Sequence, residues 1–231
     1  FAMLEFYEAY ADYRVMATIT RELIQAAALA AFGSEQVTHP DGSVHDLSGA
    51  WPEVSLYESV SAAVGTQVTP ETSREQLQSW CDAAGISVEP TAVPGKLVEE
   101  LFEHYVIDSF EGRPTFVMDF PVDTSPLVRD HRTDAGKVEK WDLYINGYEQ
   151  ATGYSELVDP VIQRQRLTEQ AALGARGDAE AMQLDEDFLR ALEHGMPPTG
   201  GVGLGIDRLL MTLTGLGIRE TILFPLVKPE R

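Results

Sequence analysis

The pattern of apolar residues in the first part of the chain is strand-like before Asp12 and has the spacing of a helix after it. Residues 1–7 are rich in aromatic and apolar side chains, as is typical of a strand. We therefore expect a strand followed by a long helix, with Asp12 as the N-cap of the helix and Gly33 as its end. The apolar side chains that recur at the spacing of one helix face are Val15, Met16, Ile19, Leu23, Ile24, Ala27, Ala28 and Ala31.

A polar segment and then a helical one follow. Residues 33–55 are rich in Gly, Pro, Asp and Ser, and their HPDGS sequence predicts a turn that links two short strands. From about residue 57 the apolar spacing becomes helical, with helices expected over 74–84 and 96–109. We interpret residues 57–110 as a small helical insert.

The rest of the chain mixes strands and helices. PTFVMDFP at 114–121 is nearly all apolar, which predicts a central strand, whereas 138–147 alternates and predicts a half-buried one. After Pro160, residues 161–175 predict an amphipathic helix and 186–195 a shorter helix. A glycine-rich strand then leads into a final helix. This mixture favours an α+β fold on a mainly antiparallel sheet.

Composition and charge narrow the class of protein. The 231 residues carry 17 Lys and Arg against 37 Asp and Glu, a formal charge of −20. That balance argues against a general nucleic-acid scaffold, because phosphate contacts need clustered cations. The single cysteine, Cys81, excludes an internal disulfide framework and a cysteine-rich zinc site, and we expect it in the core. We expect no membrane span, and the cytoplasm is the expected compartment.

The segment TGGVGLGIDRLL at 199–210 is the first candidate for chemistry. Gly201, Gly203 and Gly205 alternate, so one face of the strand carries no side chain and a bulky ligand can lie on the backbone. Arg208 stands at the edge of that platform, where its forked guanidinium group can clamp a polyphosphate. The alternative interpretation is a glycine-rich strand packed under a helix, with Arg208 in a surface ion pair.

Three carboxylates form the second candidate. Asp142, Glu149 and Glu156 are spaced seven residues apart, and turns at Gly147 and Gly153 could break the strand alternation and bring all three together. We expect no local Lys or Arg to balance them, so they should bind Mg²⁺ on a nucleotide triphosphate or the ammonium group of a substrate. The alternative is that they are solvated acids on an edge strand.

The opening strand contributes a third candidate. Glu5 and Tyr7 lie two residues apart and therefore share one face, where a carboxylate and a phenol together can hold an ammonium group. The alternative is a half-buried strand with amphipathic aromatic residues. The five histidines show no metal-ligand spacing and no partnered Ser or Cys, so we expect surface or capping roles for His39, His45, His104, His131 and His194.

Taken in order, the motifs resemble those of a class II lysyl-tRNA synthetase, from the end of its second signature motif to its C-terminus. FAMLEFYEAYADY resembles the closing strand of motif 2, GYSELVDPVIQRQR the lysine-pocket strand and helix, and GGVGLGIDRLLMTLTG motif 3. PVDTSPL, DEDF followed by GMPPTGG, and ILFP match as well. The resemblance implies a six- or seven-stranded antiparallel sheet flanked by helices. It also implies ATP-dependent activation of L-lysine to lysyl-adenylate before transfer to tRNA(Lys).

The resemblance further implies a role for each site residue. The residue matching Phe1 stacks on adenine, and Arg208 lies against ATP as the catalytic arginine. The matches of Asp142 and Glu149 bind Mg²⁺ on the triphosphate. The remaining ATP-site positions are Met3, Gly203 and Gly205, and the lysine-site positions are Glu5, Tyr7, Thr152, Tyr154, Glu156 and Gly201.

Two positions depart from the family pattern. Thr152 stands where the family usually has Asn, and Asp142 where it usually has Glu. The first change shortens a polar contact to the substrate, and the second retracts a carboxylate by one methylene. Both fit a diverged lysyl branch, including bifunctional proteins that couple lysyl-tRNA formation to lysyl-phosphatidylglycerol synthesis.

The first residue, Phe1, falls in what reads as the interior of a strand, so we expect further sequence upstream. Motif 1, the motif 2 loop with its ATP-contacting arginine and the N-terminal anticodon-binding OB-fold have no match here. We therefore expect the isolated chain to be inactive and the full-length protein to be a homodimer. Two alternatives remain: a lysyl-ligase paralogue of the lipid-modifying kind, and a noncatalytic synthetase-like binding domain.

Overall fold

A six-stranded sheet organises the computed structural model, which describes residues 1–110, 112–177 and 181–224. The strands are β1 (Met3–Ala9), β2 (Gln36–Thr38), β3 (Val44–Asp46), β4 (Glu53–Ser55), β5 (Thr115–Met118), β6 (Lys140–Ile145), β7 (Tyr148–Ser155) and β8 (Thr199–Gly205). The strand order in the sheet is β1-β8-β7-β6-β5-β4, and a separate two-stranded hairpin pairs β2 with β3.

Eight α-helices and one short 3-10 helix accompany these strands within the described residues. The helices are α1 (Tyr13–Phe32), α2 (Leu56–Val64), α3 (Arg74–Ala84), α4 (Pro94–Tyr105), α5 (Pro160–Gly174), α6 (Glu186–Glu193), α7 (Ile206–Thr214) and α8 (Ile218–Thr221), with the 3-10 helix at Ile107–Phe110. The α+β class is confirmed. The last residue of the ILFP motif lies outside the described residues.

The sheet is mainly antiparallel, as expected, and its one parallel pair joins β4 to β5 at the edge. All other pairs in the sheet are antiparallel. Between β4 and β5 the chain makes a long excursion through α2, α3 and α4, and a crossover of that length lets two strands run in the same direction. The three-residue strand β4 was not among the expected elements.

Local capping signals acted as predicted. The Asp12 side chain accepts hydrogen bonds from the N–H groups of Arg14 and Val15, and Gly33 ends α1 in the left-handed conformation. The HPDGS turn joins β2 and β3 as a hairpin. Asn146 and Gly147 both have positive φ, 53° and 76°, which is the two-residue turn that suits the right-handed twist of a hairpin.

Two predicted amphipathic patterns are wrong. Strand β6 does not alternate, because helices cover both faces of the sheet at this strand and its last five residues are all buried. In α5, which begins at Pro160 as expected, Val161 is 77% exposed while Gln163 and Arg166 are buried. The buried face of α5 is polar because it binds the carbonyl groups of the loop at 125–128.

Two hydrophobic cores lie on opposite faces of the sheet. One packs α1 and α7 against side chains such as Trp141, Val202 and Leu204. The other packs α2, α3 and α4 against Val117 and Tyr144, and it includes the buried Cys81. This second core covers only the β4–β6 side of its face. The same face therefore stays open above β7, β8 and β1.

Helix α1 is the single described helix with the length and apolar composition that a membrane span requires. A core helix passes the same test. Its buried residues, Met16, Ala17, Thr20, Ile24 and Ala28, form one stripe that faces the first core.

Candidate active site

The alternating glycines of β8 face the open side of the sheet. Val202 and Leu204 between them point into the core under α1. The register of β1 places Tyr7 beside Gly201, Glu5 beside Gly203 and Met3 beside Gly205. Because alternate residues share a face, the three side chains of β1 border the glycine platform.

Strands β7 and β6 extend the same face in the other direction. Thr152 pairs with Gly203 and Tyr154 with Gly201, so both flank the platform on the side opposite β1. One strand further, Asp142 pairs with Thr152 and Lys140 with Tyr154. Strands β1, β8, β7 and β6 thus place their expected lysine-site and ATP-site residues side by side on one face of the sheet.

Gly201 is required by the side chains that converge on it. A Cβ atom at this position would lie 2.0 Å from Oε1 of Glu156 and 2.8 Å from the ring of Tyr7. At Gly203 an added Cβ would meet only Met3 and Thr152, at 3.5 and 3.9 Å. The platform is therefore crowded at Gly201, beside the carboxylate, and open at Gly203.

A carboxylate and two phenols line the crowded end. Desolvation raises the pKa of Glu156 to about 7. Partial burial, followed by the charges of Glu156 and Glu5, raises the pKa of Tyr7, so its phenol stays protonated. Burial likewise raises the pKa of Tyr154. An ammonium ion would offset the cost of ionising Glu156 here, because it supplies a counter-charge to a desolvated carboxylate.

A β-bulge brings Glu149 to the face of Asp142. Leu143 pairs with Ala151, but the next residue, Tyr144, pairs with Glu149, so Gln150 is an extra residue in β7. Of the two turns expected to break the alternation, the one at Gly147 is present and the one at Gly153 is not. Gly153 keeps the regular register and makes room for the ring of Trp141, which would lie 2.2 Å from an added Cβ.

The three carboxylates share a face but do not form one cluster. Asp142 raises the pKa of Glu149, with partial burial as the larger cause, whereas burial alone raises that of Glu156. Among the described residues, no group of three or more His, Cys, Asp or Glu side chains is arranged to hold a metal ion. Asp142 and Glu149 therefore form a pair, and Glu156 belongs to the crowded end at Gly201.

The pair fits a divalent cation. Oδ1 of Asp142 is buried and has no hydrogen-bond partner, and the pKa of Glu149 is raised. Two hard oxygen donors that lack full charge compensation suit Mg²⁺, which takes one or two protein carboxylates and completes its shell with water and phosphate oxygens. Asp142 and Glu149 are the residues that could hold it.

The expectation that no lysine balances the acids is wrong. Nζ of Lys140 lies 3.0 Å from Oδ2 of Asp142, and only 17% of the lysine side chain is exposed. Burial by itself lowers the pKa of Lys140, but the charges of Asp142, Tyr154 and Glu99 and the hydrogen bond to Asp142 together raise it to about 12. Lys140 stands two residues before Asp142, and that spacing in a strand was the available signal for a shared face.

Arg208 lies at the start of α7, next to the platform. Its Nη1 donates a hydrogen bond to the backbone carbonyl of Glu149 at 2.6 Å and lies 3.9 Å from Oε1 of the same residue. Nearly half of its side chain, 49%, is exposed. The guanidinium group is thus anchored on one side and free to bind an anion on the other.

Two expected ATP-site residues make few contacts. Phe1 is fully exposed, and Met3 is 51% exposed. The chain beside them is tied to α7, because the Ala2 N–H donates to Asp207 Oδ2 at 2.9 Å. The start of β1 is therefore held next to Arg208.

Comparison with known proteins gives a consistent result over the whole chain. The family model for class II tRNA synthetases (D, K and N) matches residues 1–228. A lysine–tRNA ligase of Kineococcus radiotolerans is 63% identical over 231 residues, which are 100% of this chain and 46% of the relative. A lysine–tRNA ligase of Mycobacterium tuberculosis is 54% identical over 236 residues, with coverage of 100% and 46%.

A third relative is the lysylphosphatidylglycerol biosynthesis bifunctional protein of Nocardia farcinica. It is 52% identical over 234 residues, which are 100% of this chain and 21% of the relative. The chain thus spans about half the length of the lysine–tRNA ligases it matches, and a fifth of the bifunctional protein.

Proposed function

The chain belongs to the family of class II tRNA synthetases (D, K and N), and from that premise we propose that the whole protein activates L-lysine with ATP and transfers it to tRNA(Lys). The relatives named as lysine–tRNA ligases support this choice. So does the crowded end of the platform, where the Glu156 carboxylate lies against Gly201 and Tyr7.

The charge of that end discriminates among the three amino acids of the family. The carboxylate of an aspartate substrate would be repelled by Glu156 and Glu5. The amide of asparagine would leave the desolvated Glu156 carboxylate without a counter-charge. Lysine supplies that charge. The placement of the Glu156 carboxylate against Gly201 and Tyr7, where desolvation raises its pKa, is thus the observation that carries the proposal.

The site would catalyse the reaction by positioning lysine and ATP and by neutralising the charge on the triphosphate. Glu156 and Tyr7 would hold the ε-ammonium group, which leaves the α-carboxylate of lysine to attack the α-phosphate of ATP over the glycine platform. Arg208 would bind the phosphates, and pyrophosphate would leave. Asp142 and Glu149 would hold Mg²⁺, which neutralises charge on the triphosphate. The described side chains need form no covalent intermediate.

The nucleotide side of the site extends this proposal. Phe1 and Met3 would pack against adenine, and Gly203 and Gly205 would admit the nucleotide against the backbone. Thr152 would contact the substrate between the two ends, and Tyr154 would line the lysine end. An added Cβ at Gly205 would lie 3.6 Å from Arg208, so that position has no excess space once the arginine is in place.

The whole protein would include further parts. We propose that residues 57–110 are an insert in a class II catalytic domain, since they pack as a helical layer on one half of a sheet face. The rest of the protein would supply motif 1, the motif 2 loop and an anticodon-binding domain. It would act as a homodimer in the cytoplasm.

The relative from Nocardia farcinica keeps a second function open. A synthetase unit in a lipid-modifying protein would need the same lysine site, so the site itself supports both roles. A noncatalytic binding domain is less consistent with the structure, because Arg208, Glu149, Glu156 and the glycine strand are all in place.

Substitution of Glu156 by Ala in the whole protein tests the pocket. Lysine-dependent activation should fall by more than about a hundredfold, because a buried charge partner is lost. Glu8→Ala, at an exposed position of β1, is the control and should retain activity. Retained lysine activation with unchanged selectivity in the Glu156 variant would contradict the assignment.

A further inference from the structure

Lys140 is a buried cation at the edge of the carboxylate pair, and the resemblance assigns it no role. Its Nζ lies 3.0 Å from Asp142 Oδ2 and 3.9 Å from the centre of the Phe120 ring. The side chains of Lys140 and Asp142 are 17% and 7% exposed. The ammonium group is therefore fixed by an ion pair on one side and an aromatic ring on the other.

Several acidic groups share this one ammonium group. Asp142, Tyr154 and Glu99 of helix α4 all act on Lys140, and Lys140 in turn acts on Glu149. Glu99 has a separate partner, because Thr124 Oγ1 donates to its Oε1 at 2.6 Å. Asp142, which binds Lys140 directly, is thus the carboxylate that Lys140 neutralises most.

The two oxygens of Asp142 have different roles. Oδ2 is bound to Lys140, whereas Oδ1 is buried without a hydrogen-bond partner. Lys140 therefore orients the carboxylate so that a single oxygen is available to a metal ion. With both acids ionised, the group formed by Asp142, Glu149 and Lys140 carries a net charge of −1 instead of −2.

We propose that Lys140 is a positioning residue that keeps the carboxylate pair from binding a divalent cation until ATP brings the cation with it. A cation that approaches Asp142 alone meets the fixed ammonium group at close range, whereas the triphosphate adds enough negative charge to outweigh it. The inference rests on the proposed function, because it takes the pair as the metal site of the ATP complex.

Titration of the whole protein with Mn²⁺, monitored by electron paramagnetic resonance, measures its affinity for a divalent cation with and without nucleotide. Mn²⁺ prefers the same oxygen ligands as Mg²⁺. The wild type should bind Mn²⁺ at least about tenfold more tightly with a nonhydrolysable ATP analogue than without it. This comparison needs no variant.

Two substitutions separate the charge of Lys140 from its contacts. Lys140→Gln keeps a hydrogen-bond donor but removes the charge, so the affinity for Mn²⁺ alone should rise at least about tenfold. Lys140→Arg keeps the charge and should behave as the wild type does. Lys137→Gln is the matched control, since Lys137 also lies over an aromatic ring, Tyr57, and pairs with a carboxylate elsewhere.

Unchanged affinity for Mn²⁺ alone in a folded Lys140→Gln protein would overturn the inference. So would a wild type that binds Mn²⁺ equally well with and without the analogue. Asp142→Asn distinguishes this failure from failure of the metal assignment. If Asp142→Asn weakens Mn²⁺ binding in the analogue complex while Lys140→Gln changes nothing, Lys140 alone has been misassigned. If Asp142→Asn also has no effect, the carboxylate pair is not the metal site.

Discussion

Desolvation of the Glu156 carboxyl group couples substrate binding to pH. Its pKa is raised to about 7, above the ordinary value of 4.5, because the group is removed from water beside Gly201 and Tyr7. Below pH 4.5 the group is protonated in the folded and unfolded states alike. Between pH 4.5 and 7 the unfolded chain ionises first, so the lysine-free protein loses stability as the pH rises.

Glu156→Gln should therefore stabilise the lysine-free protein at pH 8 by on the order of 2 kcal/mol and leave its stability at pH 4 unchanged. Chemical denaturation at the two pH values measures this. Lysine should stabilise the wild type and not the variant. A variant that is no more stable than the wild type at pH 8 would show that Glu156 is well solvated.

Two glycines of adjacent strands should respond differently to replacement by alanine. At Gly201 the new methyl group meets Glu156 and Tyr7, whose side chains can move, so affinity for lysine should fall while stability changes by less than about 1 kcal/mol. At Gly153 it meets the fully buried Trp141, so stability should fall by about 1–3 kcal/mol. Calorimetric lysine titration and thermal melting separate the two outcomes. Equal loss of stability in both variants would contradict this description of the platform.

At the scale of elements, the sequence predicted the features that depend only on residues adjacent in the chain, namely helix ends and a tight turn. The Asp12 cap, the Gly33 end and the HPDGS hairpin all depend on local backbone geometry, and all are confirmed. Strand β4 and the bulge at Gln150 were not foreseen, because each is defined by a partner strand and not by its own residues. The pairing of Lys140 with Asp142 was missed although its spacing was visible.

Helix α5 shows how a tertiary contact can override an amphipathic pattern. Arg166 is bound to the carbonyl groups of Ser125 and Val128 and to Asp130, and 8% of its side chain is exposed. Arg166→Ala should cost about 2–3 kcal/mol of unfolding free energy, since these buried acceptors lose their donor. Arg164→Ala, also on α5, removes an exposed ion pair with Glu186 of α6 and should cost less than about 1 kcal/mol. Denaturant titration compares them, and equal costs would show that α5 is not held by its polar face.

At the scale of the whole molecule, one face of the sheet is buried in a hydrophobic core and the other carries the candidate site. The α1 and α7 face is closed by a continuous core, while the other face is closed only over β4–β6. The net charge of −20 agrees with the proposal that other parts of the whole protein would make most of the tRNA contacts. Family and fold class followed from motif order, whereas the roles of the site residues stay predictions and their geometry required the structure.

Amino-acid-dependent ATP–pyrophosphate exchange by the whole protein tests the central claim most directly. Exchange should require lysine and be absent with aspartate or asparagine, because only a cationic side chain compensates Glu156. The isolated 231-residue chain, as the paired sample, should give no exchange. Exchange by the whole protein with aspartate or asparagine in place of lysine, or robust exchange by the isolated chain, would contradict the account.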